Sequence, residues 1–163
     1  MSKAWRLVAT GGLVAGTFDI VYACVFWAIK RGVAPQRILQ RVASGWLGDA
    51  SLTGGWPTAA LGFATQYFIA LSMAVAYYLA ARRWPALWER AAACGAAYGL
   101  LLYGIMNYVV VPLSAAGPGS KDPLWVGMSI VVHMLLIGLP IALFARRAIL
   151  SELRSPAPVS EHV

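Results

Sequence analysis

Four apolar runs constrain this chain more than anything else in it. They are Leu7 to Ile29, Thr58 to Ala81, Ala91 to Leu113 and Leu124 to Ala145, each of 22 to 24 residues, and none contains a lysine or arginine. At about 1.5 Å rise per residue each reaches roughly 33–36 Å, enough to cross a hydrocarbon core of about 30 Å with some tilt. Strands are excluded as the spanning element, because four cannot close a barrel and lipid satisfies no open backbone edge. The expected fold is therefore all-α: an integral membrane bundle of four transmembrane helices. With 60% hydrophobic and 12% charged residues, the chain is neither an ordinary soluble domain nor a disordered one.

The connections are read from their polarity. Residues 35–47 have the pattern of a short amphipathic helix between the first and second spans. Arg37, Arg41 and Ser44 share one face, and Ile38, Val42 and Trp46 share another. A helix lying in the membrane interface and one packed over the bundle both fit this pattern. Residues 83–90 form a short connection, which makes spans two and three antiparallel neighbours. One transmembrane domain is expected over residues 1–147. Residues 148–163, with Pro156 and Pro158, read as a polar, partly disordered tail.

The net charge is +7. The basic residues flank the apolar runs and form no stripe or motif for nucleic acid, so the expected partner of this charge is the bilayer. With a cytoplasmic N-terminus, Lys3, Arg6, Arg82, Arg83, Arg90, Arg146, Arg147 and Arg154 lie inside, against Lys30, Arg31, Arg37, Arg41 and Lys121 outside. The positive-inside bias therefore favours cytoplasmic N- and C-termini in an inner (plasma) membrane. Trp5, Trp27, Trp56, Trp84, Trp88, Trp125, Tyr77 and Tyr78 lie near span ends, where an aromatic belt is expected. No cleaved leader is expected, because the first run ends in Lys30-Arg31 without a small-x-small site. Cys24 and Cys94 are isolated within apolar runs and read as small packing residues.

Small residues recur at helix-packing spacing, Gly12 with Gly16 and Gly95 with Gly99. Asp19 falls on the same stripe as Gly12 and Gly16, so it points at other helices. A carboxylate that deep costs about 2.5–3.5 kcal/mol on insertion scales and needs donors or a proton. Each other span supplies one polar residue: Gln66, Asn107 and His133. Counted from the span ends, all four lie about 9–15 Å below one membrane surface at about 1.5 Å per residue. Tyr22 and Tyr103 lie one turn from Asp19 and Asn107. Asp19, His133, Asn107, Gln66, Tyr22 and Tyr103 are thus the candidate polar cluster, binding a small ligand or exchanging protons between Asp19 and His133.

Other chemistry finds no support. No intramembrane lysine is present for a retinal Schiff base, and a single intramembrane histidine does not make bis-His haem. HExxH, GxSxG and phosphate-cradling GK[ST] motifs are lacking. No enzyme activity, cofactor or metal site is expected, since Asp19 and His133 alone fall short of three ligands.

Gly16-Thr17-Phe18-Asp19, Arg37-Ile38-Leu39-Gln40 with Val42-Ala43-Ser44-Gly45, Ala59-Ala60-Leu61-Gly62, and Met106-Asn107 with Pro112-Leu113-Ser114 together resemble a group of small bacterial inner-membrane proteins of unknown function. The resemblance spans nearly the whole chain. It implies a four-helix inner-membrane protein with a polar interior and carries no activity. In that group the Gln66 position is often histidine, so this chain departs from a two-histidine pattern. The expectation is a membrane protein that binds or moves a small molecule or protons through the polar layer. The alternative is a structural or accessory subunit. A homodimer or larger membrane complex is left open.

Overall fold

The computed structural model describes residues 1–154. Five helices follow in chain order: α1 (Lys3–Arg31), α2 (Pro35–Leu47), α3 (Gly55–Arg83), α4 (Ala91–Leu113) and α5 (Pro123–Leu153). All but α2 are long and apolar enough to cross a membrane, and no strand occurs among the described residues. The chain is an all-α, multi-pass membrane protein. A 3-10 turn, Gly48–Leu52, joins α2 to α3, and one helical turn, Ala86–Glu89, lies between α3 and α4.

The helix ends follow local chemistry. The Ser2 side chain accepts from the Trp5 backbone N–H at the start of α1, and Asp122 does the same for Leu124 and Trp125 at the start of α5. Gly32 closes α1 at φ 63° and Gly48 ends α2 at φ 58°, backbone conformations that glycine adopts without Cβ strain. Pro35 opens α2 at a position where its missing N–H costs nothing.

Two spans are not uniform. Met106–Val110 in α4 and His133–Gly138 in α5 form wide i→i+5 turns, closed by Val111 N–H on the Met106 carbonyl and Leu139 N–H on the Met134 carbonyl. Each sits just before a proline, Pro112 or Pro140. A proline ring crowds the carbonyl four residues back and offers it no donor, so the turn widens rather than breaks. The extra residue resets the buried face of α5. Ser129 and Val132 are followed by Ile137, Ile141, Ala145 and Ala148, whereas Leu136, which unbroken spacing would bury, is 38% exposed.

Packing runs along α1–α3, α1–α5, α3–α5 and α4–α5. The expected neighbour relation of α3 and α4 is corrected. They run antiparallel but barely meet through their backbones. Their link is aromatic: Tyr98 Oη donates to the Met73 carbonyl at 2.9 Å, and the Tyr77 and Tyr98 rings lie 4.9 Å apart.

Glycines set the closest approaches. A Cβ on Gly12 or Gly16 of α1 would press on Leu71 or Ala70 of α3, and one on Gly11 on Phe144 of α5. Gly95 and Gly99 of α4 meet the backbone of α5 at Gly138 and His133. Gly62 of α3 receives the Leu39 carbonyl of α2. The amphipathic helix thus has its predicted bounds but a different docking face. Gln40, Ala43 and Ser44 are buried, Ser44 with them rather than with the exposed Arg37 and Arg41, and Trp46 is 64% exposed. Small and hydrogen-bonded residues win because the backbones must nearly touch at Gly62. Gln40 Nε2 donates to the Gly55 carbonyl at 3.0 Å and Trp46 Nε1 to Thr65 Oγ1 at 3.0 Å. The Ala115 N–H on the Gly45 carbonyl ties α2 to the loop after α4.

Two further expectations are corrected. Tyr77 and Tyr78 are not belt residues: both are buried, Tyr77 Oη donating to the Leu87 carbonyl and Tyr78 Oη to Glu152 Oε1. The polar tail does not begin at 148. Ala148 and Ile149 are buried in α5, which continues to Leu153, and Glu152 also meets Arg82 at 3.8 Å. The predicted disordered end, with Pro156 and Pro158, lies outside the described residues.

If backbone contact holds α4 to α5, Gly99→Ala should destabilise the detergent-solubilised protein by about 1–3 kcal/mol, the range for overpacking. Gly104→Ala, whose Cβ would meet nothing within 4 Å, should be neutral or gain about 0.5–1 kcal/mol of helix propensity. Thermal unfolding followed by circular dichroism compares the two, and equal shifts would contradict the packing account.

Candidate functional site

The six predicted residues fall into two separate groups of contacts, one on α1 and α3 and one on α1, α4 and α5. In the first, α1 and α3 bring Asp19 and Gln66 together: Gln66 Nε2 donates to Asp19 Oδ2 at 2.8 Å. Both side chains are half-buried. The glycine stripe explains this meeting. Gly12, Ala15 and Gly16 seat α1 on α3 near Ala70 and Leu71, one turn beyond Gln66. Immediately beside it, Thr17 Oγ1 and Tyr67 Oη share a hydrogen bond of 2.9 Å.

The second group joins α1, α5 and α4. Tyr22, one turn on from Asp19, hydrogen-bonds Ser129 Oγ at 3.3 Å and stacks on Trp125 with ring centroids 5.1 Å apart. The Ser129 carbonyl faces His133 Nδ1 at 2.8 Å. A carbonyl only accepts, so Nδ1 carries a proton, and Nε2 makes no hydrogen bond among the described residues. The His133 ring meets Tyr103 edge-on at 5.4 Å, and Asn107 Nδ2 donates to the Tyr103 carbonyl at 2.9 Å. Asn107 and His133 both lie in the wide turns, where their helices depart from regular spacing.

Asp19 and His133 are not hydrogen-bonded to each other. Gln66 occupies one oxygen of Asp19, and the Ser129 carbonyl occupies Nδ1 of His133. Counted from the observed helix ends, the layer lies about 9–18 Å below one surface at about 1.5 Å per residue.

Asp19 Oδ1, Gln66 Oε1, Asn107 Oδ1 and His133 Nε2 have no partner among the described residues, and none of them is sealed from its surroundings. One N–H on each amide and the Tyr103 hydroxyl are free as well, so both donors and acceptors remain available. Asp19 also has no cation. Among the described residues the ion pairs are Lys30–Asp122, Arg41–Asp49 and Arg82–Glu152, all near helix ends. No group of three His, Cys, Asp or Glu that could hold a metal occurs among the described residues. A recess lined by Lys3, Arg6, Leu7 and Thr10 lies at the opposite surface and is separate from the layer.

Residues missed in the sequence complete this picture. Ser129, 2% exposed, is the hinge of the second group, and its position four residues before His133 was the available signal. Thr65 and Trp46 join α2 to the residue preceding Gln66. No signal short of the fold places Trp46 there.

Comparison with protein-family models, with curated proteins and with solved structures gives no match.

At the near surface the layer is closed by a clasp. Lys30 at the end of α1 pairs with Asp122, the residue that caps α5, and the rings of Phe26, Trp27 and Trp125 pack beneath. The hydrogen bond from Lys30 holds the Asp122 carboxyl below its ordinary range, helped by the Trp125 and Leu124 N–H groups. A depressed folded value means the clasp stabilises fully above the unfolded value of about 3.9 and is lost as pH falls through the lower folded value. Asp122→Asn keeps a capping side chain but removes the charge. It should lower the thermal midpoint at neutral pH and converge with the native chain in acid below the carboxylate range, measured by melting across a pH series.

Proposed function

We propose that this chain is a bacterial inner-membrane protein with both termini cytoplasmic, and that its polar layer takes up a proton or a small molecule at Asp19. The observation that carries this reading is the state of the Asp19 carboxylate. It lies deep in an apolar span, holds one amide donor and no cation, and keeps one oxygen free. An ionisable side chain in that position is a functional-site candidate by default, since its insertion cost has to be met by polar partners. The four spans each contribute a polar side chain to a zone about 9–18 Å below one surface at about 1.5 Å per residue, which suits a site shared between helices. No enzymatic role is part of the proposal. The resemblance to small bacterial inner-membrane proteins supports the location, and the distribution of basic residues supports the orientation.

The structural alternative has its own observation. No buried side-chain nitrogen or oxygen among the described residues lacks a partner, as a pure helix lock requires. The readings separate on Asp19→Asn. Under the proposal, infrared difference spectra of the reconstituted protein show a carboxyl band that titrates with pH, and Asp19→Asn deletes it while helix content is retained. A titrating band that survives in Asp19→Asn, or none in the native chain, overturns the proposal. A change confined to thermal midpoint or yield would establish the lock.

A further inference from the structure

We propose that the recess at the start of α1 holds the headgroup of an anionic phospholipid. Its lining comes from one face of the helix. Lys3, Arg6, Leu7 and Thr10 stand at i, i+3, i+4 and i+7 and border a space of about 470 Å³. The inference is independent of the Asp19 layer, from which this recess is separate.

Charge selects the class of ligand. Lys3 and Arg6 are exposed, and no carboxylate, carbonyl or aromatic ring engages either side chain among the described residues. Several other cations are taken up by the protein itself: Lys30 by Asp122, Arg41 by Asp49, Arg82 by Glu152, Arg37 by the Leu52 carbonyl and Arg147 by the Phe144 ring. The recess thus has two cationic side chains and no acidic one in its lining. Thr10 Oγ1 donates to the Arg6 carbonyl at 2.8 Å, which leaves the ammonium and the guanidinium as the free donors among the four side chains. A guanidinium and an ammonium one turn apart suit the oxygens of a phosphate.

Position selects the source of that phosphate. From Lys3 to Thr10 the helix descends about 10 Å at about 1.5 Å per residue, and the lining changes from charged to apolar on the way. Leu7 is half-buried against the core, while the long basic side chains can reach up toward water. The headgroup zone of one leaflet is roughly 5–8 Å deep. A phospholipid therefore sets its phosphate among the cations and its glycerol and first acyl carbons along Leu7. A soluble anion fits only the upper half and leaves the apolar floor uncovered. Each basic residue beside an anionic lipid adds to binding, and here two share one recess.

The test uses the full chain in dodecylmaltoside micelles and native mass spectrometry with an equimolar mixture of dioleoyl phosphatidylglycerol and dioleoyl phosphatidylcholine. The first lipid retained is expected to be phosphatidylglycerol, preferred about tenfold, and an equal concentration of glycerol 1-phosphate should not displace it. Lys3→Gln combined with Arg6→Gln should bring the preference to within about twofold of unity. Arg83→Gln, which removes an exposed charge of α3 outside the lining, should leave it unchanged. Circular dichroism confirms that each variant is folded. If the double variant does not fold, Arg6→Gln alone and the preference of the native chain decide. Equal retention of the two lipids, or a preference that survives in the folded variants, overturns the proposal. An equal loss in Arg83→Gln overturns it in favour of diffuse surface charge, and displacement by glycerol 1-phosphate overturns it in favour of a soluble anion.

Discussion

Lipid tails are as apolar as leucine, so nothing like the hydrophobic effect presses these helices together once they are inserted. What remains is van der Waals contact and hydrogen bonding at short range, and both need backbones that approach closely. The bundle depends on that constraint. Gly12 and Gly16 let α1 sit on α3, Gly95, Gly99 and Gly138 let α4 sit on α5, and Gly62 lets α2 dock at all. Where a glycine is missing, as between α3 and α4, the backbones stay apart and a tyrosine bridges the space.

The same contacts decide the polar chemistry. Seating α1 on α3 through small residues turns Asp19 toward Gln66 and away from His133. Seating α5 on α1 through the Tyr22, Trp125 and Ser129 contacts gives His133 a carbonyl instead of a carboxylate. The layer is therefore two short hydrogen-bonded groups, with a carboxyl that has no cationic partner in one and a free imidazole nitrogen in the other.

Much of this was legible in the sequence, for physical reasons. Spans need only length and apolarity, so all four were visible, as were the bounds of α2, set by Pro35 and Gly48. The common depth of Asp19, Gln66, Asn107 and His133 follows from counting, because antiparallel spans share their surfaces. Pairing did not follow, because depth fixes height and not azimuth. The choice of Gln66 over His133 for Asp19 depends on which small residues touch. The docking face of α2 misled for a similar reason: amphipathicity ranks residues by transfer from water, whereas this helix is held on α3 by a glycine and by side-chain hydrogen bonds from Gln40 and Trp46. The burial of Tyr77 and Tyr78 was hidden because an interfacial tyrosine and an anchoring one look alike until their hydroxyl partners, Leu87 and Glu152, are known.

The wide turn of α5 has a consequence for what one span can touch. Pro140 gives the Leu136 carbonyl no donor, and the added residue offsets the inward stripe by about 100°, one step of a 3.6-residue helix. The half before the turn therefore faces α1 and α4 along one line, and the half after it, through Ile141, Ala145 and Ala148, reaches α3 as well. A single proline thus lets one span serve three partners where a regular helix would keep a single seam.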